Sequence, residues 1–160
     1  MGLPEYERYD AVGLAALVRK REVTPRELLD EAVQRMEARN PRINAVVISM
    51  VDQARAEVAR GLPDGAFTGV PYLLKDYGLR TRGVVTTTGA RLFRNYTSDY
   101  DDEFVVRMRR AGLVLFGKTA APEFIAPTSQ SALFGDTRNP WNLGLSPGGS
   151  SGGATAAVAA

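Results

Sequence analysis

The sequence predicts an α/β fold, because segments with helical periodicity alternate with short apolar runs that are typical of buried strands. Its 160 residues, 44% hydrophobic and 24% charged, have the size and composition of one globular domain. No internal repeat is visible in the chain. We therefore expect helices and strands to alternate around a single core.

The clearest helix start is the segment TPRE at 24–27, which combines a capping box with proline at the first helical position. Apolar residues then recur at helical spacing. We expect this helix to run to about Arg39 and to end before Pro41, which disfavours helix in the residue before it. The apolar run Ile43–Met50 follows this breaker and is predicted to form a buried strand.

A second helix is predicted over Asp52–Arg60, with its polar face outward. The run GVPYLLKD, Gly69–Asp76, has the apolar character of a buried strand but ends abruptly in two charged residues, Lys75 and Asp76. This strand end is a candidate for chemistry.

The second half of the chain repeats the alternation. Acidic residues crowd the start of a predicted helix near Glu103, and arginines fill its last turn before Gly112, an order that complements the helix macrodipole. A strand is predicted over Leu113–Phe116. The segment Thr119–Pro147 contains four prolines and is predicted to be a long loop, which is usually functional in a compact domain. A last helix is expected over Ala154–Ala160.

The composition excludes several kinds of chemistry. The sequence has no cysteine and no histidine, which rules out disulfides, thiol nucleophiles and a Ser-His-Asp triad within it. A reactive serine would need lysine, tyrosine or a carboxylate as its base. The 20 basic and 18 acidic residues are interspersed, so no basic face for nucleic acid is evident.

The N-terminal segment MGLPEYERYD has neither the basic region nor the apolar core of a secretory signal. No apolar run approaches the length of a membrane span. These features predict a cytoplasmic protein without a membrane segment.

Lys75 ends an apolar strand instead of lying on a polar helix face. Burial there would disfavour the charged form and leave a neutral amine that accepts a proton. Asp76 would oppose this by favouring the charged lysine, unless its carboxylate points elsewhere. The alternative is a structural lysine that extends from the strand end into solvent.

The segment GGSSGG at 148–153 precedes a predicted helix, and such a glycine-rich start can hold an anion on free N–H groups. It lacks the lysine of a P-loop. The alternatives are a flexible linker and a simple helix N-cap.

Two further groups of residues suggest structural roles. Arg138, Asn139 and Trp141 could contact a substrate, but a loop anchored by a buried tryptophan is favoured. Lys118 and Glu123 are predicted to pair with each other or to face water.

Four segments in this order together resemble the N-terminal part of the amidase signature family: GVPYLLKD with Lys75, GKTAAPEF at 117–124, TRNPW at 137–141 and SPGGSSGGA at 146–154. The resemblance extends from about Thr24 to the last residue. It implies an amidase-signature fold, with a mixed sheet among helices and a site built from loops at strand ends.

The resemblance also implies a mechanism. In the family's Ser, cis-Ser, Lys triad, Lys75 matches the lysine and Ser150 matches the bridging serine, which follows a cis peptide bond. Ser151 would support them by hydrogen bonding, and Gly148, Gly149 and Gly152 would let the backbone adopt the turn. The implied reaction is cleavage of a small-molecule carboxylic amide through an acyl-enzyme, without metal or cofactor.

The family's nucleophilic serine and oxyanion hole belong to a second Gly-Ser motif further along the chain. Residues 1–160 are therefore expected to be the N-terminal part of a single amidase domain, truncated before that motif and inactive alone. One alternative is the glutaminase subunit of a tRNA-dependent amidotransferase. An alternative of another class is a non-catalytic phosphate-binding module that uses the glycine loop. The sequence does not give the oligomeric state.

Overall fold

A computed structural model describes residues 5–160; the first four residues of the N-terminal segment discussed above lie outside this range. The five helices of the described residues are α1 (Ala11–Arg19), α2 (Pro25–Ile43), α3 (Val51–Arg60), α4 (Glu103–Arg110) and α5 (Gly152–Ala159). The strands are β1 (Val46–Ser49), β2 (Pro71–Lys75), β3 (Val114–Thr119), β4 (Gln130–Ser131) and β5 (Gly135–Asp136). Within residues 5–160, no helix is both long enough and apolar enough to cross a bilayer.

The main sheet has three strands in the order β1-β3-β2. β1 runs antiparallel to β3, whereas β2 runs parallel to it, so the sheet is mixed. All residues of the central strand β3 are buried. The predicted α/β fold with a mixed sheet among helices is confirmed. Because β2 and β3 are parallel, their carboxyl ends lie at the same edge, where Lys75 pairs with Thr119.

The sheet is covered on both faces, because alternate residues of β3 enter two different apolar clusters. Val114 and Phe116 pack with Leu29 of α2 and Ala54 of α3. Leu115 packs instead in the cluster that contains Val105 of α4. This three-layer arrangement holds the strand ends rigidly for the loops that follow them.

The end of α2 differs from the sequence prediction, because the helix continues past Arg39 and through Pro41 to Ile43. Proline removes one helical hydrogen bond, a loss that the last turn tolerates. The Asn40 side chain compensates: it accepts hydrogen bonds from the backbone of residues 45 and 46 at 2.8 Å each and donates to the Val46 carbonyl. Ile43 is buried beside α5, so β1 begins only at Val46.

The other predicted elements are confirmed with small shifts of their ends. The capping box at 24–27 is present, and the helix predicted from Asp52 begins one residue earlier. β3 runs three residues further than predicted, to Thr119. Residues 120–147 are mostly irregular and include only the short ladder of β4 and β5.

The prediction of a buried tryptophan is wrong. The Trp141 side chain is 85% exposed, and Arg138 is also exposed. The loop is held by its own polar groups: the Asn139 side chain accepts from the Trp141 N–H at 3.0 Å, and the Asn139 N–H donates to the Leu145 carbonyl at 2.9 Å.

Gly153 of α5 fits tightly against the backbone of Ala120 and Ala45, where an added methyl group would overlap main-chain atoms. We expect Gly153→Ala to lower the free energy of unfolding by about 1–3 kcal/mol, because backbone cannot move aside as a side chain can. Chemical denaturation measures this change. Gly144→Ala is the matched control, because its methyl group would meet only the Asn142 side chain. Equal stability of the two variants would contradict the expectation.

Candidate active site

The two residues that sequence analysis selected as catalytic lie in direct contact. Lys75 is the last residue of β2, and Ser150 lies in the loop before α5. The Lys75 Nζ atom is 2.8 Å from Ser150 Oγ and 3.0 Å from Ser151 Oγ. The fold thus joins a strand end to a loop 75 residues further along the chain.

Lys75 is only partly exposed, and burial lowers the pKa of its amine from the ordinary value of 10.5. The Asp76 carboxylate points elsewhere, as the sequence argument required. It is fully buried and accepts hydrogen bonds from the Thr87 N–H, at 2.9 Å, and from the Thr87 hydroxyl. Nothing in this arrangement stabilises the charged form of Lys75 through a carboxylate contact, which favours the neutral, proton-accepting amine.

Lys118 is a buried charged group that sequence analysis placed wrongly. Its side chain is fully buried and donates to Thr86 Oγ1 at 2.6 Å and to the Leu79 carbonyl at 3.2 Å, whereas Glu123 is exposed. Burial lowers the pKa of Lys118 to about 8, although the negative charge of Asp76 acts in the opposite direction. The signal that could have located it is its position inside an otherwise apolar run of the central strand.

The glycines of the loop serve close packing as well as conformational freedom. Gly148 has φ +85°, a value that side chains disfavour, and the Gly149–Ser150 peptide bond is cis, as the resemblance implied. A methyl group on Gly149 would overlap the backbone of Thr128, and one on Gly152 would press on Ser129. The segment 128–129 therefore forms the floor on which the loop rests.

The start of α5 fits neither of the alternatives from sequence. Ser151 stands at the N-cap position, but its side chain makes no capping hydrogen bond and instead accepts one from Lys75. Gly152 and Gly153 are buried, and the Gly153 N–H donates to the Ala120 carbonyl at 3.3 Å. A flexible linker would not be packed in this way, and this N–H group is not free to hold an anion.

The arrangement can move a proton. A neutral lysine amine within hydrogen-bond distance of a serine hydroxyl accepts its proton, and the hydroxyl can then take a proton from a further group. Within residues 5–160, no cluster of three or more side chains is suited to hold a metal ion.

Comparison with known proteins identifies the family. The Amidase family model matches residues 27–160, which include both Lys75 and Ser150. The chain belongs to the amidase family. Its similarity therefore covers the whole described sheet and the loop before α5.

Curated amidase-family relatives include the 6-aminohexanoate-cyclic-dimer hydrolase of Paenarthrobacter ureafaciens, which is 47% identical over 154 residues. This alignment covers 94% of the chain and 31% of the relative. A subunit of the glutamyl-tRNA(Gln) amidotransferase of Halothermothrix orenii is 40% identical over 148 residues, which cover 92% of the chain and 31% of the relative.

A solved structure of a 6-aminohexanoate cyclic dimer hydrolase with its substrate matches with a TM-score of 0.89 and 44% identity. The match covers 96% of the chain and 33% of that structure. The chain thus spans about a third of the length of the amidases that it matches.

Proposed function

We propose that the full-length protein hydrolyses a small-molecule carboxylic amide, with Lys75 as general base and Ser150 as proton relay. The contact of 2.8 Å between Lys75 Nζ and Ser150 Oγ carries this proposal, together with the lowered pKa of the amine. Membership of the amidase family supports the same reaction class. Ser151, the second hydrogen-bond partner of Lys75, supports the base by orienting it.

The reaction begins with a neutral Lys75. A nucleophilic serine, which we assign to a part of the protein after Ala160, passes its proton to Ser150 Oγ while Ser150 passes its own proton to Lys75 Nζ. The nucleophile bonds to the amide carbon, and its tetrahedral adduct collapses with loss of the amine. Lys75 returns the proton through Ser150 to the leaving nitrogen. Water then attacks the acyl-enzyme by the same proton path and releases the acid.

The substrate that we favour is a linear or cyclic amide of an aminoalkanoic acid. The support is the higher identity to the 6-aminohexanoate-cyclic-dimer hydrolase, 47%, than to the amidotransferase relative, 40%. The cytoplasmic location predicted from the sequence stays a prediction.

The second candidate is the glutaminase subunit of a tRNA-dependent amidotransferase, a function that the 40% identical relative supports. Such a protein would release ammonia from glutamine and would co-purify with its partners. Isolation of the native protein alone, with activity on aminoalkanoic amides and none on glutamine, would exclude this candidate.

The test of the proposed function is Ser150→Ala in the full-length protein. We expect amide hydrolysis to fall by about 10²- to 10⁴-fold, because the path from nucleophile to Lys75 is interrupted. Ser49→Ala is the control, since Ser49 is an exposed serine at the end of β1. Hydrolysis by Ser150→Ala at the rate of the control would overturn the proposal.

A further inference from the structure

A chain of hydrogen bonds leads from the glycine loop into the core through two serines that sequence analysis did not select. The Gly148 N–H donates to Ser146 Oγ at 3.1 Å, and Ser146 Oγ is 2.8 Å from Ser129 Oγ. Ser129 Oγ donates to the Thr137 carbonyl at 3.3 Å. Because the first group can only donate and the last can only accept, Ser146 must donate to Ser129. Each hydroxyl accepts once and donates once.

The inner end of this chain is fixed. Ser129 is 5% exposed, and its carbonyl accepts from the Thr137 N–H at 3.1 Å. The Thr137 hydroxyl donates in turn to the Asn44 carbonyl, just after α2, at 3.1 Å. Ser129 is therefore tied to the framework of the domain by three hydrogen bonds in addition to its bond to Ser146.

The outer end of the chain holds the segment that carries Ser150. Gly148 lies two residues before Ser150, and Gly149 between them rests on the Thr128 backbone. Loop and floor are thus joined twice, by packing at residue 128 and by the hydroxyl pair at residue 129. The Ser150 side chain itself has only its bond to Lys75 to orient it among the described contacts.

We propose that Ser129 and Ser146 are positioning residues, which hold Ser150 Oγ at hydrogen-bond distance from Lys75 Nζ. This inference rests on the proposed function. A relay serine must pass a proton in both directions, so a small displacement interrupts both halves of the reaction. A misplacement of about 1 Å can cost about 10²-fold in rate. Neither serine touches the reacting atoms, so their effect is on turnover and not on substrate binding.

The first test is steady-state kinetics of the full-length protein with Ser146→Ala, Ser129→Ala and the double variant. We expect kcat to fall about 10- to 100-fold in each single variant, with KM changed by less than about twofold. The double variant should be no slower than the slower single variant, because both remove the same connection. Ser146 is exposed, so its replacement leaves the fold intact even if the buried Ser129→Ala variant is unstable. Ser49→Ala again serves as control.

The second test does not depend on activity. Amide hydrogen exchange of residues 146–152 should be faster in Ser146→Ala by about tenfold, with the exchange of β2 and β3 unchanged. A kcat of Ser146→Ala within about twofold of the wild type, or unchanged exchange of residues 146–152, would overturn the inference. If Ser150→Ala keeps full activity, the proposed function fails, while the exchange experiment still decides whether the serine pair holds the loop.

Discussion

Replacing Lys75 with methionine is expected to lower kcat/KM for amide hydrolysis by about 10²- to 10⁴-fold, because the side chain keeps its length and loses the amine that accepts the proton. Lys75 bonds to both serines of the loop, and burial lowers the pKa of its amine, so it is the base that the geometry provides. Steady-state kinetics of the full-length protein measure the effect.

The pH dependence gives the sign of the same effect. The neutral amine is the active form, so kcat/KM of the wild type should rise with pH and level off below the ordinary lysine value of 10.5. Lys20→Met is the matched control, because the Lys20 side chain is 68% exposed. A Lys75→Met variant that retained the activity and pH profile of this control would contradict the assignment of the base.

Replacing Asp76 with alanine is expected to lower the free energy of unfolding by about 3–5 kcal/mol, which is the range for removing one partner from buried charged groups. The carboxylate is fully buried and accepts from both the N–H and the hydroxyl of Thr87. Its removal leaves these donors without an acceptor and leaves the buried Lys118 without the nearby negative charge. Denaturant unfolding, monitored by circular dichroism, measures the loss.

Asp64→Ala is the control for this prediction, since Asp64 is an exposed aspartate in the loop before β2. Its stability should stay within about 0.5 kcal/mol of the wild type. A loss of stability in Asp76→Ala that is no larger than in this control would show that the buried network at the end of β2 contributes little.

The ends of the elements show how far local sequence rules reach. The capping box at 24–27 depends on four neighbouring residues, and the structure has it as predicted. The end of the same helix depends on contacts that are distant in sequence. Ile43 is buried beside α5, more than a hundred residues later in the chain, and this packing carries the helix past Pro41. A proline rule based on local sterics cannot include such a contact.

The candidate site shows the same division. The resemblance in four segments was enough to select Lys75 and Ser150, and the fold brings the two together. Lys118 was placed wrongly, because its burial follows from the central position of β3 in the sheet, which no local pattern reveals. Ser129 and Ser146 were missed for a related reason. A serine in a polar loop looks like any other until its partner, 17 residues away, is known.

The most direct test of the catalytic assignment is the titration of the Lys75 amine by nuclear magnetic resonance of protein with labelled lysine side chains. The 160 residues contain only three lysines, so Lys75→Arg identifies the signal by its disappearance. We predict a midpoint clearly below 10.5, which gives a larger neutral fraction at physiological pH than a free lysine has. A midpoint at or above 10.5 would mean that Lys75 is held in its charged form, and its role as a general base would have to be abandoned.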